Sequence, residues 1–290
     1  TKSKLGIGVL NAVAAPSNAI IRYTPSDTTR QFLTSELTNF NVIVLDQALP
    51  NNSSIGFINT NVLREGAARD ANVSALTFNL RDAKNRYELF SESRLSQVWD
   101  TPDGGSEKGY GFRYGVSKVS GKWGWTAVHA AMDDHFDQRD MGLFRRNNYH
   151  ALYGQVSHGN YEQHNGMLYS YWQFSAENTW LYSSGAWEAL ELEGYGEFQN
   201  ARRHTFGMYF TSRPLWYYDY FEPRVAGKKY RHAPFAFIQP QWTTDTRKRF
   251  FATFEASFGE SPIPHDAYLG IGFRPTWVAS DHLRLTAFLN

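Results

Sequence analysis

The chain has 290 residues, 42% of them hydrophobic and 16% aromatic, with a formal net charge of +1 and no cysteine. So even a charge balance sets up no field to draw nucleic acid or an acidic substrate. The missing cysteine removes disulfide scaffolds, thiolate-bound zinc and thiol catalysis, and no apolar run reaches the roughly 18 residues of a membrane-spanning helix.

Period two dominates the hydrophobic pattern and predicts about fifteen strands. In chain order they cover 4–13, 39–49, 53–63, 72–82, 86–97, 109–119, 123–133, 149–157, 165–176, 189–198, 202–212, 234–243, 248–258, 267–277 and 282–290. The opening "TKSKLGIGVLNAV" lacks the apolar core of a signal peptide and already alternates. The closing "HLRLTAFLN" alternates too, so one domain truncated at both ends is expected. Tyr110, Phe112, Tyr114 and Val116 alternate with Gly111, Arg113, Gly115 and Ser117. Leu190 and Leu192 oppose Glu191, Glu193 and Glu197; Phe206, Met208 and Phe210 oppose Thr205, Gly207 and Tyr209. Phe250, Phe254 and Phe258 oppose Phe251 and Glu255, and Leu269, Ile271 and Phe273 oppose Gly270, Gly272 and Arg274. The pattern assigns no faces to 149–157 or 234–243.

Connections alternate long and short. "PNN", "AKN", "SGK", "NAR", "TDTR" and "SDH" fall at one end of an up-and-down sheet; 14–38, 64–71, "TPDGGSEK", "HFDQRDMGLFRRNN", 177–188, "PLWYYDYFEPRVAGKKYRHA" and "GESPIPHDA" fall at the other. The segment 158–164 follows this least well. Outer-membrane barrels pair short periplasmic turns with long extracellular loops on strands that are apolar outside and polar inside. A soluble sandwich has no reason to sort loops this way, and no repeat at propeller period is found. The expected fold is therefore all-β, an antiparallel transmembrane barrel of about 16 or more strands when complete. Trp123, Trp125, Trp242 and Trp277 lie near strand ends, where interfacial aromatic girdles sit. The expected lumen-facing charges are Glu88, Glu92, Arg94, Arg113, Glu191, Glu193, Glu197, Glu255 and Arg274.

Four stretches, "LGIGVLNAV", "LTNFNVIVLDQALPNNSSIGFINTNVLRE", "DDHFDQRDMG" and "YDYFEPRVAGKKY", resemble a family of outer-membrane proteins of unknown function from Bacteroidota and relatives. That resemblance implies full-length relatives with a signal peptide, an N-terminal domain like carbohydrate-binding family 9 and a long C-terminal barrel region. The present chain matches the middle of that region.

Candidate sites are few. Asp133, Asp134, Asp137 and Asp140 offer oxygen ligands for calcium, although their spacing is not that of an EF-hand; the plainer reading is a solvated loop balanced by Arg139, Arg145 and Arg146. Trp216, Asp219, Glu222 and Arg224 lie in a ring-rich loop suited to a partner contact, a sugar, or a pair of hydrolytic carboxylates. No G-x-S-x-G nucleophile motif occurs. His129, His150, His158 and His164 lack metal spacing on one strand face. The expected function is an outer-membrane pore, or the barrel component of an uptake or secretion assembly. A plugged barrel scaffolding a glycan or protein partner is the alternative, and a surface hydrolase a third. No cofactor or nucleic acid is expected; membrane lipids, other surface proteins and glycans are the expected partners.

Overall fold

A computed structural model describes residues 4–24, 27–66, 68–99, 104–225, 227–263 and 266–289. The strands are β1 (Leu5–Ala14), β2 (Ser17–Tyr23), β3 (Thr28–Ser35), β4 (Thr38–Leu49), β5 (Ser53–Arg64), β6 (Asp70–Arg81) and β7 (Tyr87–Trp99). After them come β8 (Ser106–Lys118), β9 (Trp123–Met132), β10 (Tyr149–Asn160), β11 (Met167–Trp180), β12 (Trp187–Asn200) and β13 (Thr205–Arg213). The last are β14 (Tyr217–Asp219), β15 (Tyr230–His232), β16 (Phe235–Thr243), β17 (Phe250–Glu260), β18 (Ala267–Ser280) and β19 (Leu283–Thr286). The only helical turn among the described residues is a 3-10 turn at Arg139–Met141.

Fifteen of these strands form one antiparallel sheet in chain order, β1, β4–β13 and β16–β19. Its order ends on β1 and β19, so the sheet is open rather than closed. The expected strands are present, most of them longer than the alternation suggested. That lengthening shortens several expected long loops: β5 and β6 are separated by 65–69, β11 and β12 by 181–186. The loop-length contrast is therefore carried by 15–37, 133–148 and 214–234. Two of these contain hairpins of their own, β2–β3 and β14–β15. The connection expected at "TPDGGSEK" lies partly outside the described residues.

Tight turns hold the other end together. Asn51 and Asn52 both have positive φ, 60° and 56°, which asparagine tolerates, and form the centre of a turn that the Ser53 amide closes on the Pro50 carbonyl. Asp82 caps the β6–β7 turn by accepting from the Arg86 and Tyr87 amides. Asp245 does similar work after β16, accepting from the amide and guanidinium of Arg247.

The chain divides into two compact units. The first comprises Thr1–Val116, His129–His150 and Tyr182–Ser184. Its cross-strand register sets Ile7 opposite Leu45, Leu45 opposite Phe57 and Phe57 opposite Leu76. This row is exposed, 68% at Ile7 and 50% at Leu76. One to three rows further along the same face asparagines interrupt the apolar residues. Asn11 donates to Asn39 and Asn41 at 2.6 and 2.7 Å, and Asn59 donates to Asn72 and Ser74 at 2.8 and 2.9 Å. The opposite face carries Val62, Ala71, Ser96 and Val98, all buried.

The second unit comprises Ser117–Val128, Ala151–Leu181 and Gly185–Asn290. One of its faces is apolar. On it Phe198, Phe206, Trp242, Phe254 and Phe273 are direct cross-strand partners in sequence, with ring centroids 5.1, 6.3, 5.1 and 4.9 Å apart. Trp123, His158 and Trp172 form a further ring cluster. The other face is polar.

Candidate functional site

In the first unit, the segment 133–148 lies on the sheet face that carries Ser96 and Gly109. The sequence makes room for it. Gly109 has no side chain, and a Cβ placed there would sit 2.2 Å from the Phe136 Cα, so only glycine admits the loop backbone at this point. Phe136 is fully buried and its ring is 5.9 Å from that of Phe144. Ser96 Oγ accepts from the Asp137 amide at 3.0 Å. Asn147 Nδ2 donates to the Asp134 and Phe136 carbonyls.

Charge then locks the loop. Asp140 pairs with Arg64 at 2.8 Å and Arg69 at 2.7 Å; Asp137 pairs with Arg69 at 3.2 Å and Arg139 at 2.6 Å. Burial raises the affinity of the Asp137 carboxylate for protons. The hydrogen bonds and charge of Arg139, with Arg69 behind them, outweigh that and hold its pKa at about 2. Of the four aspartates considered for calcium, Asp137 and Asp140 are thus engaged by arginines. Asp133 accepts from the Tyr110 amide and Asp134 pairs with His135; no group of three or more acids or histidines among the described residues is placed to hold a metal. Arg64 and Arg69 are the partners that the sequence concealed, because they lie on β5 and in the β5–β6 connection, far from the loop in sequence. Arg146 instead covers the ring of Tyr149.

Beside this loop is a cavity of about 270 Å³, lined by Ile58, Thr60, Val73 and Ala75, the loop's Gln138 and Met141, and Glu92 with Arg94. Glu92 accepts from Arg94 Nε at 2.6 Å. Glu88 pairs with Arg81 at 3.1 Å, and Arg113 places its guanidinium 4.9 Å from the Phe90 ring centre. In the second unit the polar face holds Glu191 paired with Arg213 at 2.8 Å and Glu255 paired with Arg274 at 2.9 Å. Glu193 and Glu197 accept from tyrosines, Tyr209 to Glu193 and both Tyr169 and Tyr195 to Glu197.

One protein family, described only as a domain of unknown function, DUF5916, matches residues 1–290. The chain belongs to that family. No curated protein and no solved structure matches it. Membership of DUF5916 brings neither a bacterial group nor a sugar-binding domain with it, so roles in this DUF5916 chain rest on its own side chains.

The ring-rich loop of the DUF5916 chain folds as the β14–β15 hairpin. Cations interleave its rings: Arg213 over Tyr217 at 4.6 Å, Lys229 over Tyr218 at 3.9 Å and Arg231 over Trp216 at 4.1 Å. Tyr217 stacks on His232 at 4.7 Å, and the Tyr220 hydroxyl donates to the Trp187 carbonyl. Asp219 accepts from the amides of Phe221 and Glu222. That makes Asp219 the cap of a tight turn, and Arg224, at a φ of 52°, closes the turn through its amide to the Phe221 carbonyl. Each of these contacts stiffens the hairpin.

Proposed function

We propose that this chain forms part of the wall of a bacterial outer-membrane β-barrel that acts as a pore or as the barrel component of an uptake or secretion assembly. One observation carries the reading: exposure is inverted. Leu76, Leu152, Met208 and Phe254, all on interior strands, are 41–52% exposed, while Glu92 with Arg94 and Glu191 with Arg213 on the other face are half-buried in pairs. In water each such apolar side chain forgoes about 1.5–3 kcal/mol that burial would give, and an apolar face of this extent marks a surface meant for lipid or a partner. Lipid accepts a strand wall of this kind because the ladder satisfies the backbone, provided the edges are closed. The Phe198 to Phe273 row suits the interfacial girdle of such a wall. The sequence resemblance to Bacteroidota outer-membrane proteins with a domain like carbohydrate-binding family 9 supports the same location. Lipids are then the first partner, and other surface proteins the second.

The polar face would line the water path. Glu92, Arg94 and the docked loop beside the cavity would form its narrowest charged stretch. The test is conductance of the full-length protein in planar bilayers. Steady steps whose ion selectivity shifts in Glu92→Gln support the pore. The docking of 133–148 favours one second reading, a plugged barrel that displays its loops to a glycan or protein. A protein that inserts but stays silent, and conducts once Arg64 and Arg69 are both replaced, would select that reading. A protein that stays dispersed without detergent would refute both.

A further inference from the structure

Tyrosines and hydrogen-bond acceptors alternate in two directions on the polar face of the second unit. Along strands, Tyr153 donates to Gln155, Tyr171 to Gln173 and Tyr195 to Glu197, at 2.6–2.7 Å. Across strands, Tyr171 sits opposite Glu197, Gln173 opposite Tyr195, and Tyr195 opposite Tyr209. β10 presents its tyrosine on this side because His158, on its other face, stacks against the apolar-face Trp172. The phenols are pinned by their hydroxyls, and Tyr171, Tyr195 and Tyr209 are each partly exposed. Tyr171 and Tyr195, 6.3 Å apart, are tilted by 48° rather than stacked flat.

We infer that this face of β10–β13 is a binding track for neutral oligosaccharides. Tyr171, Tyr195 and Tyr209 supply ring faces for the C–H side of a pyranose, and Gln173, Glu193 and Glu197 take its hydroxyls. The proposal rests on the reading that this face borders water. Its chemistry follows from what is already engaged. Because the phenol protons are given to carboxylates and carboxamides, the remaining capacity is mainly acceptor lone pairs, which call for a donor-rich ligand. Glu193 and Glu197 have no Lys or Arg partner among the described residues, which repels anions. Next to Tyr209 the face continues into Gln239 and Gln241. Neutral carboxamides that both donate and accept suit hydroxyls better than they suit a polycation.

The experiment titrates the full-length protein in detergent with maltohexaose, cellohexaose and chitohexaose, and separately with spermidine and a sulfated polysaccharide, by calorimetry. At least one neutral hexasaccharide should bind, roughly tenfold more weakly in Tyr195→Ala and Glu197→Gln, while Tyr195→Phe keeps most of the affinity because it keeps the ring. Silence of all three sugars up to roughly 10 mM, binding of spermidine or the polyanion alone, or affinity untouched by these substitutions would overturn the track. Conductance measured on the same preparation separates the two ideas. A conducting protein that ignores sugar loses only the track; a silent protein that binds sugar loses only the pore.

Discussion

Replacing Asp137 by asparagine keeps the shape of the side chain and removes the charge that Arg69 and Arg139 hold. The carboxyl titrates at about 2 in the docked loop, against an ordinary 3.8, and its side chain is only 8% exposed. At about 1.4 kcal/mol per pKa unit, that difference corresponds to about 2 kcal/mol favouring the docked, ionised state. Arg139 travels with Asp137 when the loop lifts, so the share due to docking alone is smaller, about 1 kcal/mol. The sign follows from a lowered pKa: the stabilisation is complete above about pH 4 and disappears as pH falls through about 2. Hydrogen exchange of the full-length protein in detergent reads this directly. Amides in 133–148 should exchange about fivefold faster in Asp137→Asn at pH 7, while the β11–β12 amides are unchanged. Wild-type protein should show the same loss only near pH 2 after correction for intrinsic exchange. Loop protection that is equal in the variant and wild type at pH 7 would refute the charge lock.

Gly109→Ala should displace the loop more completely than Asp137→Asn, because the new Cβ meets backbone rather than a side chain that can turn away; a protease cutting within 133–148 only in the variant would show it. Ile43→Lys, on the exposed apolar face, should reduce assembly into membranes by about 2–4 kcal/mol, whereas Thr77→Lys, opposite Glu92 on the polar face, should be tolerated; heat-modifiable mobility on gels measures both. The fluorescence lost in Trp242→Phe should be the part quenched best by shallow brominated lipids, and equal quenching by labels at the acyl-chain ends would remove the aromatic row from the interface.

Strands such as those at Phe250 to Phe258 or Leu269 to Phe273 were legible because one side is apolar, a signal carried without help from the rest of the fold, whereas 149–157 and 234–243 offered no clear face. The same alternation set Glu191, Glu193 and Glu197 opposite Leu190 and Leu192. What the sequence concealed are features that depend on separation along the chain. Nothing near "HFDQRD" reveals that Arg64, Arg69, Ser96 and Gly109 receive it, although a glycine at position 109 of an otherwise clean strand was an available hint. The hairpins β2–β3 and β14–β15 escaped because "SNAIIRY" and "WYYDY" do not alternate. Aspartate as a turn cap is invisible until the amides of Phe221 and Glu222 are seen to converge on Asp219.

The asparagine stripe on β1 and β4–β6 has a consequence for folding. A slip of one residue between neighbouring strands is self-correcting, since it turns every apolar side chain to the wrong face. A slip of two keeps the faces and is the more dangerous error in a sheet of similar strands. In one direction such a slip would set Asn11 against Ile43, Asn41 against Leu63 and Asn59 against Leu76, leaving carboxamides unmatched in an apolar row. The stripe therefore acts as a one-way alignment key, penalising a slip in that direction more than it stabilises the correct register.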